Sequence, residues 1–418
     1  MRSRLAFVSP MFLFPADTGG RTRTSNILRG LKGGAFEVTL LCPADAPQQQ
    51  RWAPQLAQLC DRLIAWEPAA TRPQWRRALD LFDPLPVNVV ADRTRAGRTT
   101  VHRALASERF DVVVFDFVHA AVLRPLRVDA ATVCFTHNVE AEIFERHATQ
   151  TSRMSIMRSV WASQSRKMTR FESEVLPSFT RVIAVSERDA AVFRDRYAVQ
   201  APAVIPTGVD LEYFAWQAPA QPNGAPTVVF TGSMDWAANI DGVGYFIDEI
   251  WPRVRAAVAN ARFVVVGRNP PAALVERSRT VAGVTFTGLV DDVRPYVRDA
   301  HAFVIPLRVG GGTRIKAFEA MAMGCPVVST SIGMEGLGVR PDEHFLLRDD
   351  ATGFVEAVVA LLNDVERRQG LSSRARTCVE AGFGHRAVAQ VFENACVHAL
   401  EQSRSDSKPP LYAATHLV

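Results

Sequence analysis

The stretch Val309–Thr330, "VGGGTRIKAFEAMAMGCPVVST", combines three consecutive glycines with two cations and a carboxylate. It follows the apolar run "HAFVIP" and leads into an apolar helix pattern that contains Glu319. In a doubly wound parallel sheet, a glycine loop after a strand lets backbone N–H groups approach an anion, and the next helix presents its positive end there. The stretch therefore predicts a doubly wound α/β fold with an anion site at this loop.

Charged side chains in the same stretch indicate what kind of anion binds. Arg314 and Lys316 would make charge-assisted contacts to a phosphate on the glycine loop. Glu319 needs a different partner, because a carboxylate repels phosphate. Ribose hydroxyls donate hydrogen bonds to carboxylates in dinucleotide-binding folds. The alternative is a flexible surface loop with solvated cations, but the combination favours a nucleotide ligand.

Composition sets the size and class of the protein. The chain has 418 residues, of which 48% are hydrophobic, so it is long enough for two domains with separate cores. Its net charge of +5 is compatible with a phosphate-bearing ligand, an anionic membrane surface or simply an arginine-rich solvated exterior. The six cysteines are far apart and form no C-x-x-C pair, which argues against a zinc site and for a reducing compartment. We find neither a signal peptide nor a membrane-length apolar run, and expect a cytoplasmic protein.

Short β-branched runs alternate with helix-length amphipathic stretches along the whole chain. This alternation predicts parallel sheets covered by helices on both faces. Each half repeats the pattern, so the sequence predicts two doubly wound domains. The predicted strands are "RLAFVSP", "FEVTLLCP", "DVVVFDF", "ATVCFTHN" and "RVIAVS" in the first half and "TVVFTGS", "RFVVVG", "VTFTGL", "HAFVIP" and "CPVVST" in the second.

The domain boundary is predicted where periodicity is lost. Pro219, Pro222, Gly224 and Pro226 cluster between two strand patterns, and stretches of this kind separate domains. The polar end of the chain is expected to be disordered. The predicted order is a first domain, a linker, a second domain, a C-terminal helix and a tail, at residues 1–210, 211–226, 227–385, 386–404 and 405–418.

A second glycine pair, Gly19 and Gly20, follows the first strand and opens the first long helix. Alone it is weak evidence, because many strand-to-helix turns carry glycine for steric reasons. The G-x-G-x-x-G dinucleotide fingerprint and the G-x-x-x-x-G-K-[ST] phosphate loop are both absent from the sequence. Their absence argues against a dehydrogenase and against a nucleoside triphosphatase.

Taken in order and spacing, the motifs resemble the retaining GT-B glycosyltransferases of the GT4 family, also called glycosyl transferases group 1. The resemblance extends from Phe7 to about residue 400. The matching segments are "GG" at 19–20, "THNVE" at 136–140, "AVSERDA" at 184–190, "VIPTGVDLEYF" at 204–214, "FTGSMDWAANIDG" at 230–242, "VVVG" at 264–267, the long segment at 284–330 and "FVEAVVALLND" at 354–364.

The resemblance implies two Rossmann-like domains facing a central cleft, a C-terminal helix that returns to the first domain, and a nucleotide-diphosphate-sugar donor. Glu319 matches the glutamate that binds donor ribose, and the turn from Gly311 to Arg314 matches the loop that cradles phosphate and sugar. His137 matches a histidine beside the transferred sugar, although a strand-end histidine that caps a turn would look the same. The implied donor-binding residues are Gly19, Gly20, Gly232, Ser233, Arg308, Gly311, Gly312, Thr313 and Glu319.

Two departures from the family pattern affect the charge of this site. Many members carry a second glutamate eight positions before the ribose carboxylate, where this chain has Gly311. Many also carry an Arg/Lys pair after the first strand of the second domain, where this chain reads "GSMDWAAN". We expect Arg308, Arg314 and Lys316 to supply the missing positive charge, with His137, Arg314 and Lys316 as the catalytic residues.

The activity implied is transfer of a hexosyl unit, with retention, from a UDP- or GDP-sugar to a lipid-linked or polysaccharide acceptor. No cofactor, no metal ion and no nucleic acid partner are expected. One alternative is a nucleotide-sugar epimerase of the same fold. Another is a catalytically silent scaffold, suggested by the glycine at Gly311.

A basic and apolar segment in the first half suggests contact with the inner face of the cytoplasmic membrane, where lipid-linked acceptors reside. The alternative is that these helices pack on their own domain and leave a solvated arginine face. The segment's cations are Arg146, Arg153, Arg158, Arg166, Lys167 and Arg170, and its apolar residues are Ile143, Phe144, Met154, Ile156, Met157, Val160 and Trp161.

Overall fold

The computed structural model describes residues 2–16, 18–70, 79–151, 155–217, 224–309 and 314–406. Its contacts divide the chain into two compact units. The first contains residues 1–205 together with residues from Ala389 onward, and the second contains Pro206–Val388. Each unit is built on its own parallel sheet.

The first unit contains a seven-stranded sheet in the order β3-β2-β1-β4-β5-β6-β7. All the pairings are parallel; Leu5, for example, lies beside Val38 on one side and Val112 on the other. The strand order reverses between β1 and β4, which is where ligands bind in open sheets of this class. The strands are β1 (Ser3–Val8), β2 (Phe36–Pro43), β3 (Arg62–Trp66), β4 (Val112–Asp116), β5 (Ala131–Phe135), β6 (Arg181–Ala184) and β7 (Ala203–Val204).

The connections between these strands are helical, as parallel strands require. Buried apolar residues from the strands and helices form a core cluster that includes Phe115, Met168 and Phe193. The helices are α1 (Gly19–Leu31), α2 (Ala46–Arg51), α3 (Ala53–Leu59), α4 (Val87–Asp92), α5 (Arg95–Ser107), α6 (Glu140–Gln150), α7 (Ile156–Val175) and α8 (Glu187–Tyr197), with short 3₁₀ turns at Asp80–Phe82, Val118–Leu123 and Leu176–Ser178.

The second unit contains a six-stranded parallel sheet in the order β10-β9-β8-β11-β12-β13. Its order reverses between β8 and β11, so the equivalent ligand position lies beyond the ends of those two strands. The strands are β8 (Thr227–Thr231), β9 (Arg262–Val266), β10 (Val284–Gly288), β11 (Ala302–Ile305), β12 (Val327–Ser329) and β13 (Leu346–Leu347).

Helices again cover both faces of this sheet, and two buried apolar clusters fill the space between the helices and the strands. A π-helical turn, Phe246–Ile250, joins two of the helices. The helices are α9 (Ala237–Tyr245), α10 (Trp251–Ala257), α11 (Ala272–Arg279), α12 (Arg294–Arg298), α13 (Ile315–Ala322), α14 (Ala351–Asn363), α15 (Val365–Gly382) and α16 (His385–Asp406), with a 3₁₀ turn at Ile332–Met334.

These two parallel sheets confirm the predicted fold class, and each of the ten predicted strands is present. Three strands were not predicted. β7 and β13 have only two residues each, which is too short for a periodic pattern. β3 has a mixed burial pattern at the edge of its sheet, so its sequence lacks the fully apolar run of the central strands.

The division between the units differs from the predicted linker. Residues 206–217 belong to the second unit, where Val209 is buried, pairs with Gly384 and accepts a hydrogen bond from the backbone of His385. Residues 218–223 of the predicted linker lie outside the described residues. The linker was predicted from its prolines. Prolines indicate an irregular segment, but they do not show which domain core that segment packs against.

The C-terminal helix α16 begins in the second unit, and from Ala389 it belongs to the first. There Phe392 lies 6.3 Å from Phe7 and 5.1 Å from Phe135, between ring centroids. The helix continues two residues beyond the predicted end, and the tail predicted to be disordered lies outside the described residues from residue 407. Among the helices of the described part, none has the length and apolarity needed to cross a bilayer.

Candidate active site

Gly232 follows β8 at the carboxyl edge of the second sheet. Its φ is +153°, and its backbone N–H donates to the carbonyl of Val266 at 2.9 Å. A Cβ atom at this position would lie 2.7 Å from Nζ of Lys316 and 2.8 Å from Nδ2 of Asn239. Glycine is therefore needed here because two polar side chains occupy the space beside the turn.

The ammonium group of Lys316 is fixed at this edge. Its Nζ donates to the carbonyl of Thr231 at 2.6 Å and to Oδ1 of Asn239 at 3.2 Å, and lies 4.1 Å from the ring centroid of Phe230. Burial lowers the pKa of Lys316 to about 7, and the charge of Arg314 acts in the same direction. Part of the lysine population is therefore neutral near pH 7, and a bound anion would favour the charged form.

Glu319 lies one turn further along α13, on the helix that carries Lys316. Burial raises the pKa of Glu319 to about 7, and Lys316 partly offsets that effect. The described structure thus places an ammonium donor and a carboxylate acceptor three residues apart on one short helix. This pair can hold a phosphate and a hydroxyl-bearing group side by side.

Arg308 and Arg314 have different surroundings. Arg308 makes a two-point ion pair with Asp241, through Nη2 to Oδ1 at 2.6 Å and Nε to Oδ2 at 3.2 Å. Arg314 is buried, and its guanidinium carbon lies 5.1 Å from the ring centroid of Trp236. The carboxylate of Asp241 therefore already balances much of the charge of Arg308. Lys316, in contrast, lies closest to the glycine turn at Gly232.

Ser233 belongs to a small polar cluster next to Gly232. Its hydroxyl donates to Asp235 at 2.6 Å and accepts from Nε of Arg268 at 3.0 Å. Asn269 donates to the other carboxylate oxygen of Asp235 at 3.1 Å. This cluster ties the loop after β8 to the loop after β9. The hydroxyl of Ser233 is thus held by protein partners on both sides.

Three residues of the predicted site cannot be placed by the structure. Gly311, Gly312 and Thr313 lie outside the described residues, which resume at Arg314. Their role in holding the donor phosphate stays a prediction. Within the described parts of the chain, no group of three His, Cys, Asp or Glu side chains is arranged to hold a metal ion.

In the first unit, His137 follows β5 at the carboxyl edge of the sheet and is buried. Its Nδ1 contacts Nη1 of Arg23 at 3.1 Å, and its Nε2 contacts Oδ1 of Asp116 at 2.7 Å. Because arginine only donates, Nδ1 must accept, and the ring proton is on Nε2 and is donated to Asp116. Burial lowers the pKa of His137, which keeps this neutral tautomer at neutral pH. Both ring nitrogens thus have protein partners.

Asp116, the last residue of β4, organises this edge of the first sheet. Its carboxylate also accepts from the hydroxyl of Ser9 at 3.0 Å and from that of Thr24 at 3.0 and 3.1 Å. Burial lowers the pKa of Arg23 to about 10, while the charges of Asp189 and Asp116 oppose the decrease. Through these hydrogen bonds the carboxylate of Asp116 connects Ser9 after β1, Thr24 of α1 and His137 after β5 in one buried network.

The predicted glycine pair lies at the start of α1, which begins at Gly19. A Cβ on Gly20 would lie 2.6 Å from Cζ of Phe117. Phe117 has a φ of +68° and stacks on His137 with 3.8 Å between ring centroids. Gly20 therefore makes room for the ring that covers the histidine, a steric role that sequence alone does not separate from diphosphate binding.

Sequence reasoning missed three side chains that fix the predicted ones: Asn239, Asp116 and Arg23. Asp116 could have been found, since a carboxylate at the end of the buried run "DVVVFD" lies at the ligand edge of a parallel sheet. Arg23 follows Gly20 by one helical turn. Asn239 could not be found from a charge pattern, because its side chain is neutral. The family resemblance at the segment after β8 pointed only to missing cations.

Comparison with known proteins shows the family. The sequence profile described as glycosyl transferases group 1 matches residues 225–364. The profile described as Glycosyltransferase Family 4 matches residues 18–213, so both units are covered. The chain belongs to the GT4 family of glycosyltransferases. It is therefore a glycosyltransferase with the GT-B fold, as the motifs in its sequence predict.

Individual relatives of this glycosyltransferase are distant. A phosphatidyl-myo-inositol mannosyltransferase of Mycolicibacterium smegmatis is 26% identical over 385 residues, which cover 89% of this chain and 88% of that protein. Sucrose-phosphate synthase from Thermosynechococcus elongatus superposes with a TM-score of 0.69 at 19% identity, covering 97% of this chain and 100% of that one. HepE of Anabaena, in complex with UDP and glucose, has a TM-score of 0.65 at 13% identity, covering 94% and 99%. At these identities the solved structures show the fold alone.

Proposed function

We propose that this glycosyltransferase transfers a hexosyl unit from a UDP- or GDP-sugar, with retention of configuration, to a lipid-linked or polysaccharide acceptor in the cytoplasm. The observation that carries the donor assignment is the position of Lys316 against the Gly232 turn, with Glu319 on the same helix. An ammonium suits a diphosphate and a carboxylate suits ribose hydroxyls. The complex of HepE with UDP and glucose supports a uridine nucleotide donor.

In the proposed reaction, the bond between the anomeric carbon and the diphosphate oxygen breaks, and that oxygen keeps the electron pair. A hydroxyl oxygen of the acceptor bonds to the anomeric carbon, and its proton passes to the released diphosphate. Lys316 and Arg314 stabilise the charge that develops on the leaving oxygen, a kind of interaction worth several kcal/mol in preorganised sites. Retention follows from the family resemblance, and no protein nucleophile is assigned.

Metal independence is part of the proposal, because the cations of α13 and of the preceding residues can neutralise the diphosphate. Activity unchanged in excess EDTA is the expected result. A rate lost in EDTA and restored by Mg²⁺ or Mn²⁺ would show that a metal ion shares this task.

The donor class is tested by the thermal stability of the protein with a panel of UDP, GDP, UDP-glucose and GDP-mannose. A ligand present at 100 times its dissociation constant stabilises a protein by roughly 2.7 kcal/mol, which is a measurable rise in melting temperature. We expect stabilisation by one nucleotide base and not by the other. Stabilisation by none of the four compounds would contradict the proposed function.

Glu319→Gln is expected to weaken donor binding about tenfold or more, because a charged acceptor of ribose hydroxyls becomes a neutral one. Isothermal titration with the stabilising nucleotide measures this change. Glu356→Gln is the matched control, since Glu356 is exposed on α14 of the same unit. Equal affinities of wild type and Glu319→Gln would remove ribose binding from the role of this residue.

For the acceptor, we propose contact with an anionic membrane surface through the α7 region of the first unit. Ile156 is 80% exposed at the start of α7, Met157 is exposed beside it, and Phe82 is 85% exposed in the 3₁₀ turn Asp80–Phe82. Lys167 connects the two elements, because its Nζ donates to the carbonyls of Leu81 and Asp83 at 2.7 Å. The mannosyltransferase relative, whose name includes phosphatidyl-myo-inositol, supports a lipid-linked acceptor.

Other residues of the predicted membrane segment contribute less. Phe144 is buried and stacks on Trp161. Arg146 pairs with Glu142, and Arg170 pairs with Glu174. The predicted residues Arg153 and Met154 lie outside the described residues.

Co-sedimentation with vesicles tests the membrane proposal. We expect binding to phosphatidylglycerol vesicles and not to phosphatidylcholine vesicles, with loss at high salt. Ile156→Glu should weaken binding about tenfold, because it removes an exposed apolar side chain that would insert into the bilayer and adds a charge that anionic lipid repels. Leu126→Glu is the control, since Leu126 is a fully exposed apolar residue elsewhere in the same unit. Protein that stays in the supernatant with both lipids at low salt would contradict membrane contact.

A further inference from the structure

The loop after β8 and helix α9 stand where many family members carry a cation pair, and here they carry hydrogen-bond acceptors instead. Asn239 and Asp241 lie on α9 and contact cations that belong to a different part of the chain. Asn239 contacts Lys316 and Asp241 contacts Arg308. In this unit, the positive charge thus lies on residues 308 and 316, and the side chains that hold it lie on α9.

Asn239 is buried and uses both ends of its amide. Its Oδ1 accepts from Nζ of Lys316 at 3.2 Å, and its Nδ2 donates to the carbonyl of Ser233 at 2.8 Å. The second bond fixes the amide orientation, so that the oxygen and not the nitrogen faces the ammonium group. The same side chain therefore holds both the glycine turn and the lysine.

Helix α9 lies unusually close to the end of β11. A Cβ on Gly242 would lie 2.9 Å from the carbonyl oxygen of Pro306 and 3.0 Å from the Cδ2 atom of Leu307. Glycine at this position lets the helix approach the strand end, which brings Asn239 and Asp241 within reach of their partners. Helix α9 thus packs directly against the end of β11 while it contacts both cations.

We propose that Asn239 is a positioning residue that fixes the ammonium group of Lys316 for the diphosphate of the nucleotide-sugar donor. The inference rests on the proposed function, since it assumes that Lys316 binds that diphosphate. Asn239 acts through Lys316 and through the turn at Ser233, and need not itself contact the donor.

The charged groups around Lys316 determine how its titration responds to changes at Asn239. On its own segment, Arg314 disfavours the charged lysine and Glu319 favours it. On α9, the charge of Asp241 is paired with Arg308. The partners from β8 are the carbonyl of Thr231 and the ring of Phe230, which do not titrate. A change at Asn239 therefore acts on Lys316 without removing another charge.

The experiment measures the affinities of UDP and GDP by isothermal titration from about pH 5.5 to about pH 9, a range that brackets the pKa of Lys316 and stays below the ordinary pKa of lysine. In a Glu319→Gln background, which removes the second group with a pKa of about 7, affinity should fall above pH 7 as Lys316 loses its proton. Asn239→Leu should move this fall to lower pH by about half a unit or more, because the charged lysine loses an acceptor. Asn239→Asp should move it to higher pH, because a carboxylate favours the charged lysine.

Both variants should also bind the nucleotide about tenfold more weakly. In Asn239→Leu the ammonium of Lys316 is displaced, and in Asn239→Asp it is shared with the new carboxylate. Opposite shifts are the signature of action through Lys316, because a merely structural defect would weaken binding equally at every pH. Asn260→Asp, in an exposed turn of the same unit, makes the same chemical change and should leave the profile unaltered. In a Lys316→Met background, Asn239→Asp should produce no shift at all.

Unshifted profiles in both Asn239 variants, with UDP or GDP still binding, would overturn the positioning role and leave the donor assignment standing. Failure of wild type to bind either nucleotide would overturn the proposed function and this inference together. If Asn239→Leu does not fold, the direction of the shift in Asn239→Asp decides, since an unmoved or lowered midpoint contradicts the proposal.

Discussion

Replacing Lys316 by methionine should lower the transfer rate about 100-fold or more, because the charge on the departing diphosphate loses its nearest cation. Methionine keeps an apolar stem of similar length against the ring of Phe230, so the packing around the site is retained. The measurement is release of nucleoside diphosphate from whichever of UDP-glucose and GDP-mannose stabilises the protein. Arg314→Ala should add to the loss in a double variant.

The matched control for Lys316→Met is Arg253→Met, which removes an exposed cation from α10 of the same unit. The rate of Arg253→Met should equal that of wild type, because salt screens the charge of a solvent-exposed arginine. A Lys316→Met enzyme as fast as wild type would mean that the ammonium group serves only the fold of the Gly232 turn.

Asp116→Ala should destabilise the protein by about 3 to 5 kcal/mol. It leaves the hydroxyls of Ser9 and Thr24 and the Nε2–H of His137 without their shared acceptor, and it removes a counter-charge from buried Arg23. Urea denaturation followed by circular dichroism measures the loss. Asp116→Asn, which keeps an acceptor oxygen but not the charge, should lose about half as much.

Asp129→Ala provides the comparison for this series, because Asp129 is an exposed aspartate of the same unit. Such surface substitutions usually change stability by less than about 0.5 kcal/mol. If Asp116→Ala were no less stable than this control, the buried network around His137 would not be a stabilising feature. The tautomer assigned to His137 would then also lack support.

The architecture was predictable because parallel strands buried on both faces leave long β-branched runs in the sequence, as in "DVVVFDF" and "RFVVVG". The placement of Lys316 and Glu319 on one helix after a glycine loop was predictable from the sequence, and their roles in donor binding stay predictions. Individual partners were not predictable. That Arg308 is paired with Asp241, or that His137 has both nitrogens occupied, depends on rotamers and on packing between segments distant in sequence.

The neutral side chains of the site were the main feature that the sequence did not predict. Asn239 carries no charge and lies at the start of α9, in a stretch where the family resemblance drew attention only to missing cations. Only the coordinates show that its amide connects Lys316 with the carbonyl of Ser233. The predicted domain boundary differs from the observed division for a similar reason. Val209 is paired with Gly384, and a contact between segments so distant in sequence cannot be read from the sequence pattern.

Helix α16 has a consequence for how the chain matures. The second unit is one uninterrupted segment, Pro206–Val388, whereas the first combines segments from before and after it. Phe392 covers Phe7 and Phe135, and Glu393 accepts a hydrogen bond from the backbone of Ala35. During synthesis, the strands of the first unit are therefore made well before the part of α16 that packs on them. The first unit is complete only once this helix has been made, whereas the second unit needs no segment from outside Pro206–Val388.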